Sequence, residues 1–327
     1  MKLNIDAHFG CLGTFAERYV PGGYCDEMSL DEKLEVMSKI EGVTGNFTHY
    51  PTEPLPGDPE KLIKKLADYN LVVSNLAPTL SYTERRFKHG AFCTTESKII
   101  KESIESFKEA IDFAKAVKAD SVLLWPAHDG FDYPFQVNYK DGWKRLVETI
   151  REIGEYDRSV KIAIEAKSKD PRQKQFISNS GKALAFVKDV GLENVGCALD
   201  IGHSLMAGEN LAESLMLLDS HNKLFQIHLN ENYKDADPDM IFGTINFWEI
   251  LEFFYYLKKT DYVGWLAIDI MSPREDRAKS LRVGVKLLRK FNDLADKLMK
   301  YESEIDKNLI SYSFADNIDL ITDMIFS

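Results

Sequence analysis

Leu224-Phe225-Gln226-Ile227-His228-Leu229-Asn230-Glu231-Asn232-Tyr233-Lys234-Asp235-Ala236-Asp237-Pro238-Asp239-Met240-Ile241-Phe242-Gly243 is the stretch from which the rest of the chain can be read. It opens as a short apolar strand and delivers His228 at the strand end. A polar loop then returns three aspartates, Asp235, Asp237 and Asp239. A histidine with closely spaced carboxylates is a donor set for a divalent cation. Carboxylate oxygens suit Mg²⁺ or Mn²⁺, and imidazole is accepted by Mn²⁺ or Co²⁺. An acidic loop by itself is an ordinary solvated surface, so the other strand ends carry the decision.

Three further apolar runs end in ligand-type residues. Lys161–Ile164 ends in Glu165, Val195–Leu199 in Asp200 with His203 following, and Gly264–Ile268 in Asp269. Each alone has an ordinary explanation, since Asp200 and Asp269 are also good helix caps. Carboxylates brought together without partners repel one another and lose hydration unless a cation compensates. The coincidence of Glu165, Asp200, His228 and Asp269 therefore predicts a metal site. Other polar residues follow strands in the same way: His49 after Val43–Thr48, His128 after Ser121–Trp125, and Lys167 after Glu165. His8 is read as a packed strand residue, and His89 and His221 as exposed.

These runs belong to a regular alternation. Strand-like segments at Leu3–His8, Val43–Thr48, Leu71–Asn75, Ser121–Trp125, Lys161–Ile164, Val195–Leu199, Leu224–Ile227 and Gly264–Ile268 are each followed by a longer amphipathic segment. Strands alternating with helices predict a parallel sheet, and eight such units predict an α/β fold of the (β/α)₈ TIM-barrel type. The barrel is expected over residues 1–292. A short helical tail is expected over 293–327, its apolar residues Leu309, Ile310, Phe314, Ile318 and Ile321 packing on a neighbouring surface. In such barrels the C-terminal strand ends line the catalytic mouth, where Phe9, Phe47, Trp125 and Phe131 can supply apolar walls.

The chain has 327 residues, 44% of them hydrophobic, enough for one large core. Its formal charge of −11, with the lysines and arginines dispersed, argues against nucleic acid as a partner. No run approaches the roughly 20 apolar residues of a membrane span, and Met1–Asp6 reads as a first strand. Cys11, Cys25, Cys93 and Cys197 are far apart and form no CxxC. Reduced thiols and a cytoplasmic location are the expectation.

At these residues the chain resembles the xylose isomerase-like barrel superfamily, and within it the two-metal aldose–ketose isomerases of the xylose and L-rhamnose isomerase type. The resemblance spans about Met1–Lys290 as a pattern. Its most specific piece is Asp237-Pro238-Asp239-Met240-Ile241-Phe242-Gly243, which is similar to a D-x-D-L-x-x-G loop following a strand that reads [DH]-x-N, here His228-Leu229-Asn230. Glu165-Ala166-Lys167 with Pro171-Arg172 is similar to an E-x-K…P-R segment. Asp200 and His203 match a bridging carboxylate and the second-metal histidine.

The resemblance implies a first metal at Glu165, Asp200, His228 and Asp269, and a second at Asp200, His203, Asp237 and Asp239. The ions would be Mn²⁺, Co²⁺ or Mg²⁺. It implies Lys167 as a donor to the substrate carbonyl, His49 as the histidine that assists ring opening, and Trp125 with His128 on the sugar-binding wall. The implied activity is an intramolecular oxidoreduction that shifts hydride between C1 and C2 of an unphosphorylated sugar, in a homo-oligomer (dimer or tetramer). Two departures stand out. Where the family has an aspartate three residues after the ring-opening histidine, this chain has Thr52, followed by Glu53. Trp125-Pro126-Ala127-His128-Asp129-Gly130 is only a loose version of W-x-G-R-[ED]-G.

The principal alternative is a single-metal ketose 3-epimerase of the same superfamily, with paired glutamates on the fifth and eighth strands. Glu165 fits, but the eighth strand offers the shorter Asp269, and Asp237 and Asp239 would have no role. A metal-dependent phosphodiester hydrolase needs more histidine ligands and a basic groove. A non-catalytic barrel that binds sugar or metal has no feature in its favour beyond the fold.

Overall fold

The computed structural model describes residues 3–51 and 57–326. Eight parallel strands close a barrel: β1 Asn4–His8, β2 Val43–Tyr50, β3 Val72–Pro78, β4 Ser121–Leu124, β5 Lys161–Glu165, β6 Val195–Asp200, β7 Leu224–Leu229 and β8 Trp265–Ile268. They lie side by side in chain order, and β8 closes on β1 through the pairs Asn4 with Trp265 and Ala7 with Ile268. The expected TIM barrel is therefore observed.

Two apolar layers result from the two-residue alternation of a strand. One face of each strand packs outward against the helices in the main core. The other face places Phe47, Ala77, Leu123, Ala163, Ala198 and Ala267 in a separate cluster within the barrel. Four of these six are alanines, so the interior is narrow in side-chain volume at mid-height. Two residues further along the same strands come His49, Trp125, Glu165, Asp200 and Asp269. The alternation that buries the alanines thus aims the polar residues into the mouth.

At the opposite end large rings form the floor. A Cβ at Gly45 would lie 2.5 Å from the Trp265 ring, and one at Gly196 2.6 Å from the Phe225 ring. Glycine at these positions is what admits the rings. The β6–β7 register shifts beside Phe225, a bulge that frees its side chain to pack on the floor.

Helices cover the outside, and their starts follow from side-chain caps. Ser29 and Glu32 form a capping box for Leu30–Ser38. Asp58, Asn138, Asn179, Asn210 and Asp276 each accept a first-turn N–H. The eighth helix, expected to end near Asn292, runs Arg277–Leu298, and Glu302–Ile310 and Phe314–Phe326 follow it. In this tail Ile305 is buried, and Leu320, Ile321, Met324 and Ile325 rest against the core.

Two short features interrupt what reads as loop in the sequence. The helix Ile201–Met206 follows β6 directly. Gly130–Phe131 pairs antiparallel with Lys174–Gln175, linking the loops after β4 and β5. Both are too short to leave a periodic signature. Among the described residues, no helix is long and apolar enough to cross a membrane.

Candidate metal centre at the barrel mouth

Glu165, Asp200 and His228 end three consecutive strands, and one ligand atom from each lies within 4.8 Å of the others. His228 Nδ1 is 3.1 Å from Glu165 Oε1 and 3.9 Å from Asp200 Oδ2. All three side chains are buried. Asp200 has a second duty, since its Oδ1 accepts the His203 N–H at 2.8 Å and caps the following helix. The cap and the candidate ligand are the same residue.

The orientation of His228 is set from below. Ser121 Oγ donates to Asn75 Oδ1 at 2.6 Å and accepts from Gln226 Nε2 at 2.7 Å. Gln226 Oε1 can then only accept, and it lies 3.0 Å from His228 Nε2. The neutral His228 ring therefore keeps its proton on Nε2 and offers Nδ1 to a cation. The chain of bonds continues downward, with Asn75 Nδ2 donating to Asp6 at 3.4 Å.

Asp269 is placed at the same mouth but turns to His8, whose Nε2 is 2.7 Å away. His8 is thus more than a packed strand residue. It holds Asp269 and stacks edge-on against His49, with ring centroids 5.1 Å apart. Thr52 and Glu53, which follow His49 in sequence, lie outside the described residues.

The loop after β7 is folded back by four devices. Glu231 N donates to Met240 O at 3.0 Å and Met240 N to Glu231 O at 2.9 Å, closing the loop. The Glu231 carboxylate is buried and receives the N–H groups of Thr244, Ile245 and Asn246. Asp239 adopts a left-handed φ of 51° and its carbonyl accepts Met271 N–H at 2.7 Å. Gly243 has φ 76°, and a Cβ there would overlap the Phe291 ring. These explain the spacing of the Asp237–Gly243 motif.

Asp237 and Asp239 are thereby buried at the mouth, whereas Asp235 is exposed. Asp237 Oδ2 contacts His203 Nε2 at 3.0 Å and Lys167 Nζ at 2.7 Å. Its Oδ1 is buried and lacks a hydrogen-bond partner. Asp239 is paired with Arg18, from the loop after β1. Lys167 Nζ also lies 4.9 Å above the Trp125 ring, so Trp125 forms part of the wall. His128 stands on the rim, its Nε2 3.3 Å from the Tyr82 carbonyl. Beside the Asp237–Asp239 loop lies a cavity of about 710 Å³, with Arg18, Lys169, Asp237, Met271 and Arg274 on its walls.

Burial and crowding shift these groups strongly. Burial would lower His228, but the charge and hydrogen bond of Glu165 and the charge of Asp200 push it up to about 9. His203 rises to about 10, because Asp200 and Asp237 outweigh burial. Burial raises Asp200 to about 6, against the pull of His203. Asp237 is held well below the usual carboxylate range, His203 and Lys167 outweighing burial. Asp269 is held low in the same way by His8. Burial and the charges of Asp237 and Asp269 push Asp239 well up despite Arg18.

A divalent cation fits this arrangement. Glu165, Asp200 and His228 offer two oxygens and an imidazole nitrogen at ligand spacing, and the unpartnered Asp237 oxygen is the kind of atom that a cation satisfies. Protons and side-chain cations carry the compensating charge. Arg18, His8 and Gln226 were missed in the sequence. Only the buried-looking strand polarity of Gln226 and His8 hinted at them, and Arg18 carried no signal at all.

The model of the family described as xylose isomerase-like TIM barrel matches residues 39–291. Among solved structures, L-ribulose 3-epimerase superposes with a TM-score of 0.73 at 15% identity, covering 92% of this chain and 98% of that one. A xylose isomerase domain protein from Alicyclobacillus acidocaldarius gives 0.66 at 17% identity, covering 90% and 99%. The IOLI protein with a binding zinc atom gives 0.66 at 18% identity, covering 89% and 98%.

Proposed function

Because the chain belongs to the xylose isomerase-like TIM barrel family, we propose that it is a divalent-metal-dependent sugar isomerase that interconverts an aldose and a ketose. The observation that carries this is the placement of Asp200. Its Oδ2 faces His228 at 3.9 Å, its Oδ1 faces His203 at 4.0 Å, and His203 in turn contacts Asp237 at 3.0 Å. A carboxylate with one oxygen toward each of two ligand groups suits a pair of adjacent cations. The 3-epimerase and zinc-binding structural neighbours support a sugar substrate and a divalent ion respectively.

Glu165, Asp200, His228 and Asp269 would hold the first ion, and Asp200, His203, Asp237 and Asp239 the second. An Mn²⁺, Co²⁺ or Mg²⁺ ion held there would supply Lewis acidity toward the sugar oxygens. Lys167, kept cationic chiefly by Asp237 despite burial, donates to the carbonyl oxygen as charge develops on it. His49, beside His8 and Asp269, moves the proton that opens the sugar ring. Trp125 gives the sugar a flat apolar wall, and His128 meets a hydroxyl at the rim. A cytoplasmic homo-oligomer is the matching assembly, supported by the exposed Ile310, Tyr312 and Phe314 of the tail.

A single-metal 3-epimerase is the second reading. It is favoured by the engagement of Asp237 with Lys167 and of Asp239 with Arg18, which leaves one ligand cluster free. Incubating Mn²⁺-loaded protein with aldoses and ketoses in D₂O decides between them. Hydride shift gives a product with no solvent deuterium on carbon, whereas epimerisation by proton transfer labels the inverted carbon. Carbon labelling with inversion at C3 would remove the isomerase assignment.

A further inference from the structure

Arg18 is more than two hundred residues from the loop expected to hold the second cation, yet its guanidinium sits on that loop. One terminal nitrogen pairs with the Asp239 carboxylate. The other donates to the Asp237 carbonyl at 2.8 Å. Nε and Nη2 approach the Met271 sulfur at 3.3 and 3.2 Å. The backbone that presents it is bent, with Phe15 and Tyr19 at φ 59° and 78°, and Tyr24 donates its hydroxyl to the Arg18 carbonyl at 2.7 Å. Asp237, whose carbonyl Arg18 meets, has a buried and unpartnered Oδ1.

We propose that Arg18 is a resident cation that competes with the second divalent ion for Asp239, so that the second ion binds only by displacing it. The proposal rests on the two-ion ligand set described above. A guanidinium and a divalent ion both neutralise Asp239, and both cannot occupy its inward oxygen at once. The displaced side chain has a destination, because Arg18 borders the cavity of about 710 Å³ in which Asp235 and Glu275 also lie. Met271, a soft and weak acceptor, holds it less firmly than a second carboxylate would. None of the residues proposed for the first ion, Glu165, Asp200, His228 and Asp269, is among these Arg18 contacts.

The test is Mn²⁺ binding to the full-length protein, read by the electron paramagnetic resonance of free Mn²⁺. It contains no sugar and no turnover, so it is read separately from the D₂O experiment: two ions with solvent deuterium on the product carbon would end the isomerase assignment and leave this proposal standing. Arg18→Met should tighten the second ion at least tenfold, or reveal it where the unaltered chain shows none, while the first ion is unchanged. Asp239→Asn should remove the second ion from both backgrounds. Arg274→Met removes a positive charge from the same cavity without touching Asp239, and should stay within about threefold of the unaltered chain, as expected for screened charges. Arg18→Gln serves in place of Arg18→Met if the latter does not fold. The proposal is overturned by an unchanged or weaker second ion in the Arg18 variants, by a single ion in all proteins, by a second ion that survives Asp239→Asn, or by equal tightening from Arg274→Met.

Discussion

His228 Nε2 lies 3.0 Å from Gln226 Oε1, and this contact two residues down the same strand decides which histidine nitrogen faces the mouth. Replacing Gln226 with leucine keeps the volume and removes the acceptor. The imidazole then loses its fixed tautomer, and metal affinity should fall about 10- to 100-fold with the fold retained. Calorimetric titration with Mn²⁺ checks this; an unchanged affinity would assign Gln226 to packing alone.

Asp200 caps a helix and is the residue proposed to serve both ions. Asp200→Ala should therefore abolish bound metal and activity together and cost about 1 kcal/mol in lost capping. Asp237→Ala should lower the metal content while sparing the first ion. Elemental analysis of dialysed, Mn²⁺-loaded protein reads both, and an Asp200→Ala variant that still turns over sugar would end the metal-centre assignment.

Metal affinity should rise with pH. His228 and His203, pushed up to about 9 and about 10, hold protons at neutral pH, and a histidine must shed its proton to ligate. Each proton expelled adds about tenfold in affinity per pH unit below those values. The metal-free fold should behave oppositely. A histidine with a raised folded pKa stabilises fully below the unfolded value of about 6.5, and that contribution is lost as pH rises through about 9. Thermal melts between pH 7 and 10 should show the metal-free Tm falling relative to the metal-loaded one.

His49→Ala should slow turnover of sugars that are mainly cyclic and leave metal content unchanged, because His49 packs edge-on against the His8 ring and is not one of the proposed ligands. Steady-state rates on cyclic and open-chain substrates separate the two effects. Equal losses on both would point to general damage.

Gly243→Ala forces a side chain into a left-handed φ of 76° against the Phe291 ring. The combined strain and overpacking should cost about 2–4 kcal/mol, measured by urea unfolding. Because the same turn closes the loop, occupancy at Asp237 and Asp239 should fall as well.

The barrel was legible because eight apolar runs alternate with amphipathic ones, and the first ligand group was legible because each of its members ends a run. Lys167 and Trp125 stood at such ends too. What stayed hidden depends on distance in space rather than pattern in sequence. His8 sits at the end of β1 in ordinary strand context, and only the closure of β1 on β8 brings it to Asp269. Arg18 lies in a loop without periodicity, and its partner is more than two hundred residues away. The capping by Asp200 and its ligand role were read as rival explanations, yet the observed cap leaves Asp200 within the Glu165–Asp200–His228 cluster, so the two are compatible.

The small ribbon of Gly130–Phe131 with Lys174–Gln175 ties two walls of the mouth together. Arg172 reinforces it, pairing with Asp132 at 2.9 Å and donating to the Gly130 carbonyl at 3.0 Å. The segment bearing Trp125 and His128 is thus strapped to the one bearing Lys167. Redesign of either segment for a longer or shorter substrate would drag the other with it. Across the mouth Arg18 ties the loop bearing Tyr19 to the loop bearing Tyr233 in the same way, so an engineer seeking new selectivity should change the exposed Tyr19 and Tyr233 side chains themselves rather than the segments that carry them.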